Sequence, residues 1–269
     1  MKYFVCGQCH NQIFFANSRC MKCNALLGYI ASEKDMGTFT KLDDGIWIAS
    51  NDSYQTKEFK PCYNYTNYQV CNWMIPANQE NKYCESCQLT HVIPNLNNPD
   101  NIVYWSRIEH AKRRFLYLMQ QLNIMPRPKK SSDDRYGLSY IFMMPEPFQP
   151  VMTGHANGVI TLNASEADVV YRETTRIKMG ENYRTLLGHF RHESGHYYFD
   201  LMITQNHDLI EEFRKLFGDE RQDYSEALKK HYNEGPPKDW QSKFVSSYAS
   251  THPWEDWAET WAHYLHMMD

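Results

Sequence analysis

The chain has 269 residues with a formal net charge of −4 at pH 7, and 42% of its residues are hydrophobic. That length supports one or two domains with a real core, and the slight acidity gives no overall electrostatic pull toward nucleic acid or anionic lipid. No apolar stretch is long enough to span a bilayer, and residues 1–5 lead into a cysteine pair rather than the apolar run of a signal peptide, so neither a membrane span nor a leader is expected.

The eight cysteines organise the start of the chain. Cys6-x₂-Cys9 and Cys20-x₂-Cys23 are two knuckle-like pairs separated by a β-hairpin pattern through Phe14, Phe15 and Asn17. Four thiolates at this spacing point to a structural zinc ion, with disulfides or a redox pair as the alternative. Cys62, Cys71, Cys84 and Cys87 form a second set in which only Cys84-x₂-Cys87 has knuckle spacing. One knuckle plus two buried thiols, or ligands crossing between the sets, are its alternatives. Two Cys₄ zincs would use every thiol, and thiolate zinc suits a reducing interior, which predicts a cytoplasmic protein. Residues 1–95 therefore read as a zinc-ribbon-like β-hairpin region that would be unstable without metal. Pro94 and the run Asn97-Asn98-Pro99-Asp100 mark the boundary to a second domain, residues 96–269.

Ribbons often bind nucleic acid, but the basic runs Lys112-Arg113-Arg114 and 127–130 read more simply as a solvated helix face and a loop. Nucleic acid is not expected as a partner, whereas a protein partner is compatible with the ribbon.

Residues 102–122 read as a long amphipathic helix ended before Pro126-Arg127-Pro128. Strands follow at 139–144 and 159–163, then a helix at 165–178 opened by a Ser165 cap with Asp168 three residues on. Gly180 separates that helix from the next, 181–203, whose residues Tyr183, Leu186, Leu187, Phe190, Tyr197 and Leu201 recur at helical spacing and mark a core-facing side. Helices at 209–217, 224–231 and 253–269 complete a helix-rich domain, so the fold class is α+β.

Within 181–203 stands His192-Glu193-Ser194-Gly195-His196, an H-E-x-x-H spacing. One helical turn separates the histidines, so both imidazoles can reach one metal ion. Glu193 leaves the helix about 100° from His192, which suits a base beside the metal rather than a ligand. A buried helix with two histidines and a carboxylate must satisfy them, and metal does so effectively. Downstream, Pro253 followed by Glu255 and Asp256 reads as a helix start. Glu255 and Glu259 lie one turn apart, and a carboxylate here completes a His₂Glu site with one position left for water. Glu255 is the expected ligand, and Glu259 the group that accepts the other ring N–H of a ligand histidine. A swap of the two, use of Asp256, or a solvated acidic face are the alternatives.

Several segments together carry a family resemblance: Thr153-Gly154-His155, residues 158–163, Glu166-Ala167-Asp168, residues 183–193, residues 217–224, and 252–266 with the sequence HPWEDWAETWAHYLH. The chain resembles, through nearly its whole length, a bacterial family of zinc-binding metallopeptidases with an N-terminal zinc ribbon. The resemblance implies a zincin-like domain of the gluzincin type, in which H-E-x-x-H is joined by a downstream Glu ligand, and it too places a ribbon at the first cysteine set. Members of that family continue past the segment ending at His266, whereas this sequence ends at Asp269; the site would then be formed with less support.

The expected chemistry is hydrolysis of a peptide or protein substrate, with water activated by zinc held by His192, His196 and Glu255 and with Glu193 as general base. The oxyanion needs a further donor, for which Tyr248 is the candidate and Tyr232, His155 and His189 are rivals. In zincins an extended peptide pairs with an edge strand beside the catalytic helix, and the strand at 159–163 is placed to serve so. Two other classes share these residues: a zinc hydrolase of a non-peptide amide or ester, and a metal-stabilised interaction module with a silent site. Glu193 argues against the last, since a structural site has no use for an unliganded carboxylate.

Overall fold

The computed structural model describes residues 2–50 and 57–269. The chain begins with an antiparallel pair, β1 (Phe4–Val5) and β2 (Gln12–Ile13), whose connection carries the first cysteine knuckle. The second knuckle repeats the local geometry. His10 N–H donates to the Cys6 carbonyl and Asn24 N–H to the Cys20 carbonyl, each at 2.9 Å, and both fourth residues sit at left-handed φ, 56° and 60°.

Then comes a closed barrel that the hairpin-and-loop expectation misses. Its strands are β3 (Leu26–Ile30), β4 (Asp35–Lys41), β5 (Trp47–Ala49), β6 (Glu58–Pro61) and β7 (Trp73–Pro76), and parallel pairing of β3 with β7 closes it. The physical reason for the miss is that β3 is buried over most of its length, including Leu27 and Tyr29, so the polar/apolar alternation of a half-exposed strand is lost. The barrel has an apolar interior of its own, including Tyr29 packed on Trp73 with ring centroids 4.8 Å apart. The second cysteine set lies at its end, around the short helices α1 (Tyr63–Thr66) and α2 (Glu85–Gln88), which start immediately after Cys62 and Cys84.

From α2 the chain enters β8 (Thr90–Val92), the outer strand of a sheet with order β10-β11-β9-β8, where β9 is Ser139–Met143, β10 is Gly154–Ala156 and β11 is Val159–Asn163. β11 is not an edge: β9 pairs parallel with one side and β10 antiparallel with the other along Val159 to Thr161. The edge strand on that side is β10, too short at three residues to announce itself by alternation.

Helix α3 (Asp100–Gln121) joins the two regions. Tyr117 packs on Phe15 and Tyr29 at centroid distances of 5.1 and 5.8 Å, while Phe115 stacks on Phe190 at 6.4 Å. The basic run on this helix is not a solvated face. Lys112 is fully buried, its ammonium paired with Glu109 at 2.9 Å and bonded to the Thr90 hydroxyl of β8, and Arg113 is buried against the Val70 carbonyl. A buried charge is tolerable only with such partners; Glu109 is one turn back on the same helix, whereas Thr90 and Val70 come from elements distant in sequence.

The remaining helices are α4 (Val169–Met179), α5 (Leu186–Tyr198) followed by a π-helical turn at Phe199–Ile203, α6 (His207–Phe217), α7 (Tyr224–Glu234) and α8 (Pro253–Met268). The cap of α4 is Asp168, which accepts the Tyr171 N–H, and Ser165 lies in a preceding 3-10 turn capped by Asn163. α5 starts later than 181, because Thr185 accepts the Gly188 N–H and fixes the first turn there; Tyr183 is outside the helix and half exposed. Among the described residues no helix is long and apolar enough to cross a membrane.

Candidate metal centre

Two helices, α5 and α8, build the site, and the sequence lets them come unusually close. A Cβ placed on Gly195 would lie 2.8 Å from Ala258 Cα, so any side chain there would force backbone apart. Trp257 Nε1 donates to the Gly195 carbonyl at 2.8 Å, and Trp261 Nε1 to the Ser194 hydroxyl at 3.0 Å. The two middle residues of H-E-x-x-H are thus the contact through which α8 is seated. α8 itself begins at a His252 cap. Its Nδ1 accepts the Trp254 N–H at 3.1 Å, which leaves the proton on Nε2, and Nε2 donates to the Gln222 carbonyl at 3.2 Å.

This seating brings His192, His196 and Glu255 together, with their ligand-capable atoms all within 4.8 Å of one another. Glu255 Oε2 lies 3.1 Å from His192 Nε2 and 3.5 Å from His196 Nε2. For ligands about 2.0 Å from a tetrahedral zinc ion the separation would be about 3.3 Å. His192 Nδ1 is 2.7 Å from Glu259 Oε1, whose other oxygen accepts from Ser246 Oγ at 2.7 Å. Glu259 therefore accepts the His192 Nδ1 proton, which leaves Nε2 as the nitrogen available to an ion. Burial alone would push the Glu255 carboxyl up, but contacts with His192 and His196 outweigh it and hold it well below the usual carboxylate range. Its Oε2 is buried without a hydrogen-bond partner among the described residues. A buried, ionised carboxylate oxygen and two imidazole nitrogens at this separation form a donor set suited to a divalent cation. Glu193, on the same helix, is 7% exposed, and Asp256 is outside the cluster.

The residues considered as donors fall in different places. The Tyr248 ring is 6.0 Å from that of His192. Tyr232 is exposed. His155 on β10 lies parallel to His196 at 6.4 Å, its Nε2 accepting the Gly158 N–H at 3.1 Å; burial, with the His196 and Lys129 charges added, pushes the imidazole down to about 3. His189 Nε2 faces Glu166 Oε2 at 3.4 Å. Burial would raise the Glu166 carboxyl, but His189 and the forked Arg184 contact overcome it and hold it at about 2.

Both cysteine sets gather four sulfurs each, and all eight are free. In the first set Cys6 and Cys23 Sγ are 3.7 Å apart, and Cys9 and Cys20 3.6 Å; in the second, Cys71 and Cys84 are 3.7 Å apart. Four sulfurs about 2.3 Å from one zinc ion would be about 3.8 Å apart, whereas a disulfide needs about 2.05 Å. Backbone N–H groups point at these sulfurs, Trp73 to Cys71 and Cys84 to Cys62, both at 3.4 Å, as suits thiolates.

Sequence reasoning missed Tyr224 and Ser246. Tyr224 O–H donates to Glu255 Oε1 at 2.5 Å, yet one tyrosine among nineteen carries no signal by itself.

The family described as "Putative zinc-binding metallo-peptidase" matches residues 101–269, and a zinc-ribbon domain matches residues 3–98. Three uncharacterized proteins, one from Mycobacterium bovis and one from each of two Mycobacterium tuberculosis strains, are 42% identical to the chain over 269 residues, covering 100% of it and 74% of themselves. No solved structure matches.

Proposed function

We propose that this chain, which belongs to the zinc-binding metallo-peptidase family, hydrolyses peptide bonds at the cluster of His192, His196 and Glu255. The observation that carries the reading is the approach of one Glu255 oxygen of α8 to two Nε2 atoms, at 3.1 and 3.5 Å, of α5, the helix that also bears Glu193. Those three residues would hold zinc, which supplies a polarised water and a Lewis acid for the substrate carbonyl. Glu259 orients His192, and Gly195 lets the helices meet. Glu193 takes the proton released as the carbonyl is attacked and returns it to the leaving nitrogen. Tyr248, beside His192, is assigned as the further donor to the oxyanion. The cysteine sets hold one structural zinc each, and on that ground we assign the chain to the reducing cytoplasm, with the ribbon as a surface for a protein partner.

The test is incubation of the zinc-loaded chain with a mixture of unstructured peptides, with new termini read by mass spectrometry. New termini are expected, lost with a chelator and restored by zinc. Chelator-sensitive cleavage of esters or non-peptide amides with every peptide left intact would overturn the peptide reading.

A further inference from the structure

We infer that Tyr224 is a positioning residue that holds Glu255 to the metal by one oxygen, keeping the remaining coordination position for water. The inference rests on the metal-site reading above and adds to it a residue on a third element, α7.

Glu255 is 1% exposed, and its two oxygens have separate partners. Oε2 faces the two imidazoles. Oε1 accepts the Tyr224 hydroxyl at 2.5 Å, a distance at the short end for a charge-assisted O–H···O⁻ bond. A carboxylate beside a divalent cation can bind through one oxygen or both. The second oxygen competes with water unless something else occupies it, and here the phenol does.

Tyr224 is fixed by contacts with the turn that starts the ligand helix. It is the first residue of α7, whose Asp223 cap accepts the Glu226 N–H at 2.9 Å. The carbonyl of Gln222, just before it, accepts the His252 Nε2 proton at 3.2 Å, and His252 is the cap of α8. The Tyr224 ring meets His252 and Trp254 edge-on at 5.3 and 5.7 Å. The hydroxyl is therefore aimed at Oε1 by contacts that do not depend on substrate.

Tyr224→Phe removes the hydroxyl and leaves the ring contacts. The experiment replaces only the ion of the His₂Glu site with Co(II) in the full chain, the cysteine sites keeping zinc, and reads the visible spectrum without substrate. Four-coordinate Co(II) absorbs much more strongly than five-coordinate Co(II). The unaltered chain should give the strong spectrum, and Tyr224→Phe a shifted one as Oε1 joins the metal, weaker where it adds a fifth donor and of similar strength where it displaces the water. A Tyr224→Phe spectrum identical to that of the unaltered chain would overturn the inference. So would a weak spectrum from the unaltered chain, which decides the matter even if the variant fails to fold. Because no substrate is present, hydrolysis by the chain can fail while this result stands, and Tyr224 can prove irrelevant while hydrolysis stands.

Discussion

Replacing Glu193 with Gln should lower peptide turnover by about 100- to 10,000-fold, the range of a general acid–base contribution, while the zinc content stays unchanged. The amide has the carboxylate's shape and cannot take a proton. Glu193 is also absent from the three-residue cluster that could hold the ion, so its loss leaves the ligands in place. His192→Ala or His196→Ala should instead empty the site, because each removes one of the facing Nε2 atoms. Hydrolysis of a validated peptide by Glu193→Gln at the normal rate would remove the general base from the account.

Cys84→Ala should unfold the chain rather than trim it. Apparent binding energies of structural zinc are about 10–16 kcal/mol at neutral pH, and whole-domain stability is about 5–15 kcal/mol, so losing one such site exceeds the margin. The location amplifies the loss. Cys84 caps α2, donates its N–H to Cys62 Sγ at 3.4 Å, and lies shortly before β8, which pairs with β9 of the sheet next to α5. The barrel has an apolar interior, but its closing strand β7 begins two residues after Cys71, one of the same four sulfurs. Zinc content and near-ultraviolet circular dichroism should fall together. A variant with one zinc fewer and an unchanged denaturation midpoint would show that the barrel holds itself.

What could be read from the sequence was what is local. Two histidines one turn apart, a proline-started helix with Glu255 and Glu259 on one face, and paired cysteines two residues apart are all short-range patterns, and their chemistry follows from residue type. The barrel is assembled from strands of three to seven residues with little exposed face, so periodicity does not announce it. Lys112 looked solvated because an i,i+3 pair with Glu109 is as common on an exposed helix face as in a core; the burial that Thr90 completes becomes visible only when β8 lies against α3. The edge strand was misplaced by one strand because β10 is three residues long. Tyr224, 31 positions before Glu255, is brought to it by the His252 cap and the Gln222 carbonyl, a contact between two turns that no spacing rule encodes.

The number of zinc ions per chain tests the central claim most directly, by native mass spectrometry of protein purified without chelator. The account predicts three, with Glu255→Ala holding two at a chelator strength that Glu259→Ala still survives with three, since losing the orienting partner typically costs about 10- to 100-fold in affinity or activity. Two zincs in the unaltered chain, or loss of the third from Glu259→Ala but not from Glu255→Ala, would contradict it.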